Sequence, residues 1–233
     1  AAGITPIDVA FIAAPASDPM GNCSGKLGRS ACGSLGYAMP DAMHAKHVIV
    51  ITDDLRPYPL IDWSIPETQV DQVVVVDSIG DPKGIVSGTT KITRDPVGLA
   101  MAMDAVRVIR ASGLLQDGFS FQTGAGGASL AAAKFLKDVM LKENIHGSFG
   151  LGGITGYLVD MLNEGCFESL MDVQCFDLKA VESIRDNPRH QEISATHYAS
   201  PDAKSSVVDS LDVVILGATE IDTDFNVNVH TDS

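Results

Sequence analysis

The sequence predicts an α/β protein with mainly parallel sheets, long enough for one or two domains. Three observations lead there. Short apolar, β-rich runs alternate with segments of helical period along the chain, which is the pattern of a parallel sheet with crossover helices. Two of those runs, 73–76 and 213–216, are continuously apolar, as expected of strands covered on both faces. A composition break at 80–96, with Asp81-Pro82, Gly84, Gly88 and Asp95-Pro96, reads as the joint between residues 1–90 and residues 91–233.

In order, strands are predicted at 7–13, 47–52, 72–77, 119–122, 173–176 and 212–216, each an apolar run with β-branched or aromatic residues. Helices are predicted at 96–111, 128–142, 154–163 and 178–185. In the first of these, Leu99, Met103, Val106 and Ile109 follow helical spacing, and Pro96 suits the first turn. The start at Ala1-Ala2-Gly3 without Met, and the stop just after an apparent strand, lead us to expect part of a longer chain, incomplete at both ends.

The 233 residues carry 16 Lys+Arg against 30 Asp+Glu, a formal charge of −14, with 45% hydrophobic residues. That acid excess without a basic cluster argues against a nucleic-acid partner or an anionic membrane surface. No apolar run approaches the roughly 20 residues of a spanning helix, and no signal peptide is evident; a cytoplasmic protein is expected. Cys23, Cys32, Cys166 and Cys175 form no C-x-x-C pair, so reduced, mostly structural thiols are expected. The histidines show no metal-ligand spacing, and no protein-held metal is predicted.

Two glycine-rich stretches could carry chemistry. In the first, 119–129, a strand runs into Gly124-Ala-Gly126-Gly127 before a helix from Ala128. Bare amides at a helix start attract phosphate, carboxylate or a developing oxyanion. The third glycine of a dinucleotide fingerprint would fall at Ser129, and the acid at Glu143 precedes the next strand rather than ending it. An NAD-dependent oxidoreductase using the Gly124–Gly127 loop therefore stays an alternative. The second stretch, 147–156, holds Gly152 and Gly153 and is predicted as a loop opening the next helix at the same sheet edge. The polar stretch 187–194 offers Arg189 and His190 as anion holders, and Glu192 to shape the site or handle a proton. Glu220 sits just past a strand end, near Asn226 and Asn228.

Several long, unusual stretches resemble one family. They are Gln122-Thr-Gly-Ala-Gly-Gly-Ala-Ser-Leu130, Gly152-Gly-Ile-Thr-Gly156, Leu170-Met-Asp-Val-Gln-Cys-Phe-Asp177, 187–195, and Glu220-Ile-Asp-Thr-Asp-Phe-Asn-Val-Asn228. Asp8-Val-Ala-Phe-Ile-Ala-Ala-Pro15, Ser30-Ala-Cys-Gly-Ser-Leu-Gly-Tyr-Ala38 and Thr68-Gln-Val-Asp71 join them. Over nearly its whole length the chain is similar to the alpha chain of bacterial citrate lyase, whose members are longer at both ends.

The resemblance implies a CoA-transferase-like fold of two α/β domains, with 1–90 the C-terminal part of the first and 91–233 the second. It implies a transferase that exchanges acetyl for citryl on a carrier thiol, releasing acetate. No cofactor is held tightly; the phosphopantetheine-type thioester of an acyl carrier protein (gamma) subunit, or of CoA, arrives as substrate. A citryl lyase (beta) subunit completes an oligomeric complex. The chemistry assigns Gly126, Gly127, Gly152, Gly153, Glu192 and Glu220 as candidate catalytic positions. Gln122, Gly124, Ala128, Arg189, His190, Asn226 and Asn228 are the candidate substrate-binding positions.

Related CoA-transferases carry a glutamate, which forms an enzyme-bound thioester, where this chain has Gly152. Direct transfer between bound substrates is therefore expected, with space for a substrate carboxylate at that point. Docking an acidic carrier requires a basic patch, for which Lys26, Arg29, Arg185 and Arg189 are candidates. A catalytically silent assembly subunit is the remaining alternative.

Overall fold

A computed structural model describes residues 5–85 and 91–229. Two parallel sheets organise it. The first has three strands in the order β1-β4-β5 (Val9–Ala13, His47–Thr52 and Gln72–Val75), all pairs parallel. A short antiparallel pair, β2 (Ala16–Ser17) with β3 (Cys23–Ser24), and helix α1 (Ala38–His44) accompany it. The second sheet has five strands in the order β10-β6-β7-β8-β9, again all parallel. These are β6 (Phe121–Thr123), β7 (Gly147–Ile154), β8 (Phe167–Cys175), β9 (His190–Glu192) and β10 (Val213–Ile215). The connecting helices are α2 (Pro96–Ser112), α3 (Gly127–Glu143), α4 (Gly156–Asn163), α5 (Leu178–Asp186) and α6 (Ala195–Ala199). A hairpin of β11 (Glu220–Ile221) and β12 (Val227–Asn228) ends the described chain.

Local chemistry fixes the helix ends. Asp95 caps α2 by accepting from the Gly98 amide at 2.8 Å, Pro96 occupies the first turn, and Gly113 closes it at φ +79°. Asp177 serves two helices, since one oxygen accepts from the Ala180 amide at 2.9 Å at the start of α5 and the other from Gly156 N at 2.6 Å at the start of α4.

The main core lies where α2, α3, α4 and α5 meet one face of the five-stranded sheet. Phe121, Phe167, Leu136, Leu158, Leu162 and Leu170 are fully buried there, and the rings of Phe121 and Phe167 stack at 6.3 Å. Each such side chain contributes about 1.5–3 kcal/mol of burial. The other face is covered by α6 and the 3-10 turn Val207–Ser210 over Leu151, Val173 and Ile193.

The structure departs from the sequence expectations in three places. The stretch 147–156 is not a loop; Gly147–Ile154 is strand β7, and only Thr155 separates it from α4. Its glycines are crowded by side chains of β8, of the residue that follows β8, and of β6. A Cβ at 147 would stand 2.5 Å from the Phe167 ring and one at 150 would stand 2.7 Å from Leu170 Cδ2, while one at 153 would overlap the Phe176 ring. The runs 73–76 and 213–216 are not covered on both faces. β5 and β10 are edge strands, and Val74, Val75, Val214 and Leu216 are exposed. His190, expected from the polar stretch 187–194 to hold an anion, is buried at the start of strand β9.

Candidate functional site

Ligands of parallel sheets sit outside the carboxyl ends of strands where the connections reverse direction. In the five-stranded sheet the chain runs β6 to β9 in one direction and then crosses back to β10 on the far side of β6. The reversal therefore lies at β6 and β10, whose carboxyl ends carry Gly124–Gly126 and Leu216. Gly124 N donates to Ile215 O at 2.8 Å, tying the turn to β10. Gly126 is exposed, with no atom within 4 Å of where a Cβ would stand, so the first turn of α3 is approachable there. Gly127 faces elsewhere. Its added Cβ would meet Lys91 O and Thr93 N at 3.0 Å, and Thr93 N donates to Gly127 O at 3.1 Å. Ala128 follows inside the first turn of the helix.

The next strand along the same edge brings Gly152. Gln122 on β6 is level with Leu151 on β7, so Gln122 and Gly152 are neighbours. Gly152 is buried at φ +106°, and a Cβ on it would lie 3.1 Å from Cδ and Nε2 of Gln122. The expected space for a substrate carboxylate is thus occupied by the Gln122 carboxamide. Gln122 Nε2 donates to the Tyr198 hydroxyl of α6 at 2.7 Å, and its Oε1 is buried with no partner among the described residues. Gly153 packs under Phe176. Gly126, Gln122 and Gly152 therefore share one edge, and Gly127 and Gly153 on that edge are spoken for by packing.

Glu192 closes β9 at the same level, two strands from Gly152, which is roughly 10 Å at the usual strand spacing. It joins the two sheets. Leu35 N donates to its Oε1 at 2.7 Å, Ser64 Oγ to its Oε2 at 2.8 Å, and Lys26 Nζ lies 3.8 Å from Oε2. Burial pushes the Glu192 carboxyl above its ordinary value. A cleft of about 500 Å³ beside it is lined by Lys26, Trp63, Ser64, His190 and Glu192. The loop before α1 is pinned to the same seam, with Ser34 Oγ donating to Asp172 O at 3.0 Å and Ala195 N to Gly36 O at 2.8 Å.

The other candidates are dispersed. His190 is fully engaged inside the protein, with Nδ1 2.9 Å from Ser183 Oγ and Nε2 3.0 Å from Asp172 Oδ2, so its ring does not face an anion site. Arg189 precedes β9 and so stands at the amino-terminal edge, away from the glycine turn, where its guanidinium donates to Leu162 O at 3.2 Å. Glu220, Asn226 and Asn228 lie on the exposed end hairpin, where Asn228 Nδ2 donates to Glu220 Oε2 and Asn226 binds Asp222. β10, which leads into that hairpin, is separated from β9 by three strands, about 19 Å at ordinary spacing.

The proposed basic patch is also scattered. Lys26 pairs with Asp62, Arg29 with Asp53 and Arg185 with Asp186. Burial pushes the thiols of Cys23 and Cys32 up to about 12 and about 11, and raises those of Cys166 and Cys175 too, so none is a ready nucleophile near neutral pH. Glu143 closes α3 and pairs with Arg110 at 2.7 Å instead of ending a strand, which removes the ribose partner a dinucleotide site requires. Among the described residues no group of three or more His, Cys, Asp or Glu could hold a metal, and no helix is long and apolar enough to cross a membrane.

Sequence reasoning missed Tyr198 and Ser64, and took Lys26 for a docking cation rather than a neighbour of Glu192. Nothing in local spacing marks them, because each meets its partner across 76 or more than 100 residues of chain.

Comparison with known proteins identifies the family. The family model "Citrate lyase, alpha subunit (CitF)" matches residues 1–233. The citrate lyase alpha chain of Escherichia coli (strain K12) is 50% identical over 227 residues, covering 97% of this chain and 44% of its own length. A crystal structure of the citrate lyase alpha subunit from Streptococcus mutans in complex with citrate superposes with a TM-score of 0.92 at 50% identity, covering 97% of this chain and 45% of that one. A 4-hydroxybutyrate CoA-transferase from Porphyromonas gingivalis shares the fold, with a TM-score of 0.51 at 15% identity over 84% of this chain and 47% of that one. The chain spans about half the length of these relatives. With a whole-length family match and half its residues identical to two such subunits, the chain belongs to the citrate lyase alpha-subunit family.

Proposed function

We propose that this chain carries part of the transferase site that exchanges acetyl for citryl on a thioester carrier, by direct attack and without a covalent glutamyl enzyme. The observation that carries the direct route is Gly152. At φ +106°, with Gln122 3.1 Å from where a Cβ would stand, a side chain here would be strained and crowded, and the glycine itself supplies no carboxylate. The only acid level with it that was a candidate, Glu192, has both oxygens engaged at the seam between the sheets. A carboxylate oxygen of citrate attacks the acetyl carbonyl, the C–S bond breaks, and the carrier thiolate leaves. That thiolate then attacks the citryl carbonyl of the mixed anhydride, and acetate departs.

The bare first turn of α3 at Gly126 suits the negative charge that develops on the carbonyl oxygen; one oriented donor of this kind is worth roughly 3–4 kcal/mol. The thioester is that of an acyl carrier subunit or of CoA, and the product is cleaved by a separate lyase subunit of the same complex. The basic surface for an acidic carrier is assigned to another part of the assembly, since Lys26, Arg29 and Arg185 each pair with a carboxylate of this chain and Arg189 stands at the opposite edge of the sheet.

The test is exchange of labelled acetate into the acetyl carrier, with and without citrate, using the full-length alpha chain. Borohydride reduction and mass spectrometry follow. Citrate-dependent acetate release with every glutamate intact is the expected result. A reduced glutamate in the trapped enzyme refutes direct transfer, and an absence of exchange refutes the transferase reading.

A further inference from the structure

We infer that Gln122 and Tyr198 form the seat for the hydroxyl-bearing part of the acid substrate, so that this pair sets the preference for a hydroxylated tricarboxylate over its deoxy analogue. The inference rests on the transferase reading and deepens it. Gln122 is only 8% exposed, yet its Oε1 is buried without a donor among the described residues. Leaving such an oxygen unpaired is costly, and buried polar atoms in native proteins ordinarily find partners. Gln122 lies on β6, the strand that leads into the open turn at Gly126.

The chemistry of the missing partner is restricted. Near neutral pH a hydroxytricarboxylate offers carboxylate oxygens, which only accept, and one hydroxyl, which donates. The hydroxyl is therefore the one group of that acid that completes Gln122 Oε1. The amide is held for this purpose. Nε2 donates to the Tyr198 hydroxyl at 2.7 Å, and Gly152 supplies the room in which the amide stands. Because the Tyr198 oxygen accepts from Gln122, its own proton is not used in that bond and is available to an acceptor such as a substrate carboxylate. A site built around a substrate hydroxyl rejects the analogue lacking it far more strongly than an apolar pocket rejects one methylene.

The experiment uses the full-length alpha chain with acetyl thioester. It compares citrate with propane-1,2,3-tricarboxylate as acceptor, in wild type, Gln122→Leu and Tyr198→Phe. Wild type is expected to favour citrate in kcat/KM by on the order of 100-fold or more. Gln122→Leu should bring the ratio within about tenfold of unity by losing citrate activity, with the KM for thioester unchanged. Tyr198→Phe keeps the ring but frees the amide and should fall between. Heat stabilisation by each acid gives a readout that needs no turnover, with citrate stabilising wild type more than the deoxy acid and the two becoming equal in Gln122→Leu.

If Gln122→Leu does not fold, Tyr198→Phe carries the test. A folded variant that retains the wild-type preference overturns the inference. So does a raised thioester KM with the preference intact, which would place an amide N–H of the carrier arm on Gln122. If wild type shows no exchange with any acid, the transferase reading fails, and the heat-stabilisation ratio still decides the role of the pair.

Discussion

The five-stranded sheet is covered on both faces by elements from within this chain, whereas the three-stranded sheet turns one apolar face outward. Phe121, in the first, is completely buried beneath α3 and α4; Phe11, at the same stage of the second sheet's first strand, is 68% exposed. Beside Phe11 on that face stand Val9 and, across β4 and β5, the partly covered Ile49 and Ile51 and the exposed Val74. Parallel sheets are ordinarily covered on both faces, and the relatives are more than twice as long as this chain. The difference teaches that identical strand chemistry is stabilising only where a second layer is supplied, and that the candidate site was built on the sheet that has both of its layers.

The sharpest way to test that contrast is to truncate one phenylalanine in each sheet. Phe121→Ala should cost about 3–5 kcal/mol, read as a lowered urea midpoint at unchanged slope. A cost below about 1 kcal/mol would show that the five-stranded sheet is not the better-packed one. Gly153→Ala should cost less, about 1–3 kcal/mol, because its Cβ would overlap the Phe176 ring. Pairing it with Phe176→Ala should recover part of the Gly153→Ala loss relative to Phe176→Ala alone, and strict additivity of the two would break the crowding account of β7.

The seam between the sheets gives a smaller, pH-dependent effect. The Glu192 carboxyl is held above its ordinary value of 4.5 by burial. As pH falls, the folded chain therefore takes up this proton before the unfolded chain does. The stability so gained is fully present below the unfolded value and is lost as pH rises through the folded one. Glu192→Gln removes the titration, so the difference in unfolding free energy between wild type and variant should move in favour of wild type on going from neutral pH toward 4.5. Parallel curves would mean that Glu192 does not titrate at the seam. The least effect is expected from Phe11→Ala, within about 0.5 kcal/mol in this chain. A large loss there would mean that the outward face is already covered.

Much of the fold was legible in the residues. The strand 47–52 and the helices near 96–112, 127–143 and 178–186 follow from apolar runs and helical spacing, with Pro96 suited to the first turn of the earliest helix. β7 was hidden because four glycines in eight residues read as a loop until the bulky side chains of β8 are placed against them. α1 was hidden because it is short and contains Pro40. In the site, the glycine turn before α3 was legible, since a strand, a cluster of glycines and a helix start are adjacent in sequence. Arg189 and His190 were misread because two neighbouring polar residues look alike in a one-dimensional pattern. The start of β9 between them sends one to the sheet's amino-terminal edge and the other into the core beside Asp172.

By itself the sequence determined the alternation of strands and helices, the acidic balance and the glycine turn, all of which are written in spacings of a few residues. The tertiary structure alone decided that Gln122 fills the hollow left by Gly152, that Tyr198 holds it, and that Glu192 ties two sheets together. Those pairings join residues far apart along the chain. They depend on strand order and register, which no local propensity encodes and only the packing of whole layers can fix.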